Sequence, residues 1–260
     1  MVAIVSHLGP FSAVTLVVLT FVGAAVAVWA ALHRWCRWLL LDKDNIGAGQ
    51  IFGSAIGTMF TLVFALVTIA IWENYDRVAG AVGDEANSIH NIYRYLDDYP
   101  PALREPTQGL IQSYLKRVIV HEWPLLATGD EDPEAQRMVI EINARLVAYR
   151  PATPAENPLH QELLAQVSAY RALRHGRLQA SKPYVDTSMW IALTVGSLTL
   201  MVYCGAWQLG DRRQHLIMIA ALGTSLGIVC FLLLAYSHPF TGPEAIRPAP
   251  FKALLDRSWR

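Results

Sequence analysis

Glu85, Glu122 and four scattered histidines (His90, His121, His160 and His175) are the central residues best equipped for chemistry. Each carboxylate sits in a stretch of mixed polarity, beside Ala86 or Trp123. A carboxylate drawn into a core needs a partner, so both are read as framework residues, each accepting a hydrogen bond or pairing with an arginine such as Arg94 or Arg117. The run HEWPL, residues 121–125, begins like a zinc-protease helix. That chemistry needs a second histidine four residues after the first, where Leu125 stands, and Pro124 interrupts the helix. The acidic run GDEDPE, residues 129–134, lacks the spacing of a calcium loop and reads as a helix start. The histidines read as surface or packing residues. There is no phosphate loop, no nucleophile elbow and no dinucleotide fingerprint. Cys36, Cys204 and Cys230 lie in or beside apolar segments without ligand spacing and read as small hydrophobes. The expectation is no metal, no cofactor and no enzyme.

The elements around these residues are mostly membrane-like. Of 260 residues, 53% are hydrophobic and 16% charged, where soluble domains carry about 25% charged. Mean hydropathy is +0.30. Lys+Arg and Asp+Glu are equal at 21 each, which gives no electrostatic attraction for nucleic acid. Crossing a bilayer takes roughly 20 apolar residues. Four segments qualify: Phe11–Leu32, Ile51–Trp72, Thr187–Gln208 and Leu216–Tyr236. The first ends in His33, Arg34 and Arg37, not in a cleavage site, so it reads as a span and not a leader. Trp29, Trp35, Trp38, Trp72, Tyr184, Trp190, Tyr203, Trp207 and Tyr236 fall near span ends, where amphipathic rings settle.

The polar stretch Glu73–Asp186 reads as helical throughout. Val78–Leu96 and Leu110–Leu126 place apolar residues at helical spacing. Pro133–Tyr149 follows a cap at Asp132, and Pro158–Ser181 follows a cap at Asn157. The tail from Ser237 reads as irregular because of its prolines. The fold class is therefore an all-α membrane protein, four transmembrane helices with a helical soluble domain inserted between the second and third. The boundaries are 1–73 for spans one and two, 74–186 for the soluble domain, 187–237 for spans three and four, and 238–260 for the tail. The short loops hold Arg34, Arg37, Lys43, Arg212 and Arg213. The other side holds Arg77, Arg171, Arg174, Arg177, Lys182, Arg247 and Lys252. Those near-equal sums set no orientation by charge.

The second span is not uniformly oily. At 100° per residue, Gln50, Gly53, Thr61, Phe64 and Thr68 fall within about 40° of Gly57. Ile51, Ala55, Met59, Leu62, Leu66 and Ala70 hold the reverse face. Gly49, Gly53 and Gly57 form a doubled G-x-x-x-G, which lets backbones approach closely in lipid. The same stripe also suits a pore wall, where wettable residues line the path and a hydrophobic ring, Phe64 with Phe60 beside it, constricts it. Packing and pore are both open on these residues, and a pore requires several copies arranged around an axis. No span interior holds Asp, Glu, Lys, Arg or His, which argues against a proton-coupled transporter. Gly223 and Gly227 on the fourth span read as a packing face.

Three runs carry a resemblance to a known family. The first is AIWENYDRVAGAVGDEANSIHNIYRYLDDYP, with Trp72, Tyr75, Glu85 and Arg94. The second is YLKRVIVHEWPLLATGD, with Glu122, Trp123 and Pro124. The third is HPFTG, with Pro239, Phe240 and Gly242. In this order, from Gly49 to Phe251, they resemble the bestrophin-like domain family. That family is bacterial and plant, and distantly similar to the pentameric bestrophin ion channels. The resemblance implies an integral protein of a bacterial inner membrane, with the soluble domain and both termini cytoplasmic. It implies a homo-oligomeric ring, possibly a pentamer, with second spans lining a path for small ions, anions by analogy. Gln50, Gly53, Gly57, Thr61, Phe64 and Thr68 would line the pore, with Phe60 and Phe64 as gate. The alternative is a membrane scaffold or sensor whose helical domain binds a partner or ligand.

Overall fold

The computed structural model describes residues 9–41, 46–182, 185–208, 211–242 and 244–257; Lys43 and Tyr184, named above, lie outside them. The described residues are helical apart from connecting turns, 3₁₀ and π turns and one isolated bridge between Leu41 and Trp207. They form two compact units: residues to Asn74 with Pro183–Glu244, and Tyr75–Lys182 with the residues from Ala245.

The first unit contains α1 (Pro10–Arg34), the first part of α2 (Ile46–Tyr95), α6 (Thr187–Gly205) and α7 (Arg212–Tyr236). Among the described residues these are the four helices long and apolar enough to cross a membrane. The tightest approach is between α1 and α7. A Cβ on Gly223 would lie 2.8 Å from Val22 Cα, and one on Gly227 would lie 2.8 Å from Val18 Cα. Only a residue without a side chain lets those backbones meet, so the expected packing face on the fourth span is present. Its core holds Ala13, Val17, Leu193 and Cys230. At the other end, Trp29 Nε1 donates to His215 Nδ1 (3.1 Å), and His215 Nε2 lies 3.2 Å from the Cys204 carbonyl. In the neutral imidazole both ring nitrogens are then satisfied. Trp35 and Trp38 are the most open of the span-end rings, at 76% and 81% exposure.

The second unit contains the rest of α2, α3 (Pro101–Arg117), α4 (Pro133–Ala148), α5 (Asn157–Ala180) and α8 (Ala249–Arg257). Its helix ends follow local rules. Asp132 caps α4, accepting from Glu134 N–H at 3.0 Å, as expected, and Pro133 fills the first turn. The segment after α3 ends at Gly129, whose φ of +78° suits glycine. There Gly129 N–H donates to Leu126 O and Asp130 N–H to Leu125 O, closing the carbonyls of the last turn.

Four expectations need correction. The second span and the helix at Val78–Leu96 are one continuous helix of 50 residues, because neither proline nor glycine interrupts the five residues between them. The helix expected from Leu110 already starts at Pro101, where proline suits the first turn. Asn157 is not a cap: a 3₁₀ turn at Pro154–Glu156 leads directly into α5, and Asn157 is its first residue. The tail is not irregular throughout. Ala249–Arg257 is helical, since Pro250 occupies the first turn, where its missing N–H has no intrahelical role.

Candidate functional site

Two features of the structure concentrate polar chemistry, one in each unit. The first is the stripe on the membrane-length part of α2, which divides into two halves. Gly49 and Gly53 are covered by α6 and the chain after it: a Cβ at Gly49 would collide with the Trp207 ring, and one at Gly53 with Tyr203. The Tyr203 hydroxyl donates to the Gly49 carbonyl. Reciprocally, the Phe60 ring sits where a Cβ on Gly196 would be. Phe64 is 7% exposed, in the core with Val17, Leu193 and Cys230. Phe60 and Phe64, expected as a constriction, thus both pack within the subunit. Both rings lie on the Gly53 side of the helix, about 60° and 20° from Gly57, and that side turns toward the subunit's own helices.

The other half of the stripe is open. Gln50 and Thr61 are exposed, and a Cβ on Gly57 would meet nothing within 4 Å. Thr68 is half-buried, its hydroxyl donating to the Phe64 carbonyl at 2.8 Å. Sequence reasoning missed two neighbours, Ser54 and Thr58, both exposed. They lie about 60° and 100° from Gly57, on the Thr61 side. Their signal was legible: hydroxyls at 54, 58, 61 and 68 recur by four, three and seven. Of its most apolar stretch α2 buries only 11%, against 39% for α7. The span with the least internal cover thus carries the hydroxyl strip.

The second feature is a buried quartet of charges in the second unit. Glu85 from α2 and Glu122 have no solvent exposure. Arg177 of α5 binds both: Nε to Glu85 Oε2 at 2.6 Å, Nη2 to Glu85 Oε1 at 3.1 Å and to Glu122 Oε1 at 2.6 Å. Arg174, one turn earlier, donates from Nη2 to Glu122 Oε2 at 2.6 Å. Two carboxylates meet two guanidiniums, so the cluster is neutral. Burial pushes the Glu85 carboxyl above its ordinary range, and Arg177 opposes that push. Beside the quartet Tyr170 donates to the Tyr114 hydroxyl, and burial pushes both phenols upward. Trp123 and Phe251 lie against the Arg177 guanidinium, 5.2 and 5.8 Å from ring centroid to Cζ.

Glu122 reaches this position through a π turn, Val118–Glu122. Trp123 N–H bonds back five residues to Val118 O, immediately before Pro124, which has no N–H to offer. The extra residue in the turn lets the chain pass the proline with Glu122 and Trp123 facing inward. Both carboxylates are paired as expected, but with other arginines. Arg117 instead binds Asp132 (Nε–Oδ2 2.6 Å), and Arg94 is exposed. The remaining motif residues are scattered. Trp72 stacks on Tyr236 with centroids 5.1 Å apart, and Tyr75 is half-buried. Pro124 is exposed, whereas Trp123 is buried and donates from Nε1 to Ile246 O at 3.0 Å. Pro239 and Phe240 are buried, and Gly242 has φ +86°, which explains glycine at the end of HPFTG.

The comparisons agree with this architecture. A family model described as Bestrophin-like domain matches residues 14–251. A crystal structure of a bacterial bestrophin homologue from Klebsiella pneumoniae, carrying a point mutation, superposes with a TM-score of 0.68. It is 11% identical and covers 95% of this chain and 99% of that one. A structure described as a membrane protein gives 0.63 at 11% identity, covering 94% and 96%. A second mutant of the Klebsiella homologue gives 0.62 at 10%, covering 94% and 98%. Among curated proteins none matches. At such identities the structural likeness shows the fold.

Proposed function

Since the chain belongs to the Bestrophin-like domain family, an integral membrane family, we propose that it assembles as a homo-oligomeric ring. In that ring the open strip of α2 lines a central path for small ions. The observation that carries this reading is the pairing of two facts about α2. It has the least internal cover of the four spans, and its uncovered surface includes Gln50, Ser54, Gly57, Thr58 and Thr61. The Ser54 and Thr68 hydroxyls donate to the Ile51 and Phe64 carbonyls of their own helix; lipid offers the Gln50 amide and the hydroxyls' remaining lone pairs no partner, whereas a water-filled path does. Thr68 extends the strip at its other end. Phe60 and Phe64 are left out of the wall. No charge lies in the strip, so hydroxyls and exposed backbone can solvate either sign, and anion preference rests on family analogy.

In this reading the second unit is a soluble, cytoplasmic domain inserted between the second and third spans, and the charged quartet holds it rigid. The membrane is a bacterial inner membrane. Five subunits are the family-based expectation. The scaffold reading accounts for Gly49 and Gly53, which the subunit's own aromatic rings fill, but it leaves the open hydroxyls without a purpose.

Native mass spectrometry and planar-bilayer recording of the purified protein test the proposal together. The expected result is one ring-sized oligomer and a passive conductance. Thr61→Glu on the open strip should move selectivity toward cations. A monomer or dimer with no conductance would overturn it.

A further inference from the structure

A cavity of about 480 Å³ opens between α4 and α5 in the second unit, lined by Glu131, Gln136, Ser168, Arg171, Arg174 and His175. We propose that it binds a small soluble oxyanion, of the phosphate class, independently of conduction. The volume falls within the range of small-ligand sites. Five of the nine residues around it carry hydrogen-bond donors, and Val139, Ala172 and Leu178 are apolar. Arg174 is only 4% exposed, and its Nε–H is buried without a hydrogen-bond partner. Its other nitrogens are committed, Nη1 to Gln136 Oε1 at 2.5 Å and Nη2 to Glu122 Oε2 at 2.6 Å.

That first bond also orients Gln136. With its oxygen engaged by Arg174, the amide keeps both N–H donors free for a ligand. Arg171, three residues before Arg174 and therefore on the same side of α5, adds a second guanidinium at the mouth, where it is exposed. Ser168 and His175 complete the ring of groups able to donate. A buried, unpaired guanidinium N–H is unfavourable on its own, and an oxyanion supplies the acceptor it lacks once a small turn of the Arg174 side chain brings the closed-off Nε to the cavity. Guanidinium is also the side chain whose donor fork matches phosphate geometry. Glu131 is the one carboxylate of the lining. It sets the polarity of the ligand: anion toward Arg174, with a hydroxyl or other donor of the bound species toward Glu131.

The test uses the full chain in neutral phosphatidylcholine nanodiscs, with inorganic phosphate titrated against chloride at constant ionic strength. Calorimetry and the thermal midpoint are the readouts. Saturable binding with a rising midpoint is expected. Arg171→Ala removes an exposed side chain. Gln136→Glu keeps the acceptor for Arg174 but places a negative charge where the amide donors stood. Each should weaken phosphate binding about tenfold or more, and for the exposed Arg171 the midpoint without phosphate stays near that of the unaltered protein. No saturable binding to the unaltered protein would overturn the proposal. So would binding that both variants retain, or stabilisation seen only when the discs contain anionic lipid.

Discussion

The two units solve the same problem, burying a helix against its neighbours, by opposite means. In the first unit the contacts that set helix spacing involve glycines: Gly223 and Gly227 admit backbone, and Gly49, Gly53 and Gly196 admit aromatic rings. In the second unit the centre is charged, with Glu85 and Glu122 held by Arg174 and Arg177 and no water needed to neutralise them. On the proposed arrangement, with the second unit in water, the difference follows from the surroundings. Helices in lipid gain little from burying apolar surface, so they must touch closely. A water-facing bundle can gather charges inside, provided each finds its partner.

The comparison breaks most sharply at Arg177. Arg177→Met removes a cation that holds both carboxylates, and should cost about 3–5 kcal/mol. The check is fluorescence-detected size exclusion, with loss of the monodisperse peak expected. Next comes its counterpart in the first unit. Gly223→Leu forces a side chain onto the Val22 backbone and should cost about 1–3 kcal/mol by thermal scanning in detergent. A neutral result would mean that the close α1–α7 approach is not what stabilises the first unit.

Asp132→Ala removes both the α4 cap and the Arg117 partner and should cost about 1–2 kcal/mol. Its pH behaviour sharpens the point. Arg117 lowers the Asp132 carboxyl below its ordinary value of 3.8. The stabilisation is therefore complete above that value and lost as pH falls through the lower, folded one. Acid titration of the midpoint for Asp132→Ala against the unaltered protein should converge there. The smallest effect is Tyr203→Phe, which deletes one bond to the Gly49 carbonyl while leaving the ring in place. About 0.6 kcal/mol is expected, since such bonds between membrane helices are weak; the thermal midpoint again reads it.

These contrasts also explain what could be read from the residues alone. Four spans, the Asp132 cap and the Gly223–Gly227 face follow from local spacing, and all are present. The ion partners are not local. Arg177 lies 92 residues from Glu85 and 55 from Glu122, so choosing the nearby Arg94 and Arg117 was bound to miss. One clue was available: Leu163, Val167, Tyr170, Arg174 and Arg177 continue a single helical face, so two arginines stand where core residues belong. The stripe on α2 failed in part for a related reason. Periodicity identifies which residues share a side, but a glycine that admits a neighbour's ring reads the same as a glycine that faces open space.

Phe251 and the Ile246 carbonyl seal the Trp123 side of Arg177, yet residues 183–244 separate them from α5 in the chain. A ribosome therefore delivers the guanidinium and its Trp123 face long before the Phe251 face, with two hydrophobic helices still to be threaded into the bilayer. Until the tail follows them, one side of the charged centre stays uncovered. A nascent chain arrested before Ala245 should be an early substrate for degradation, which ties survival of the polar unit to completion of the membrane one.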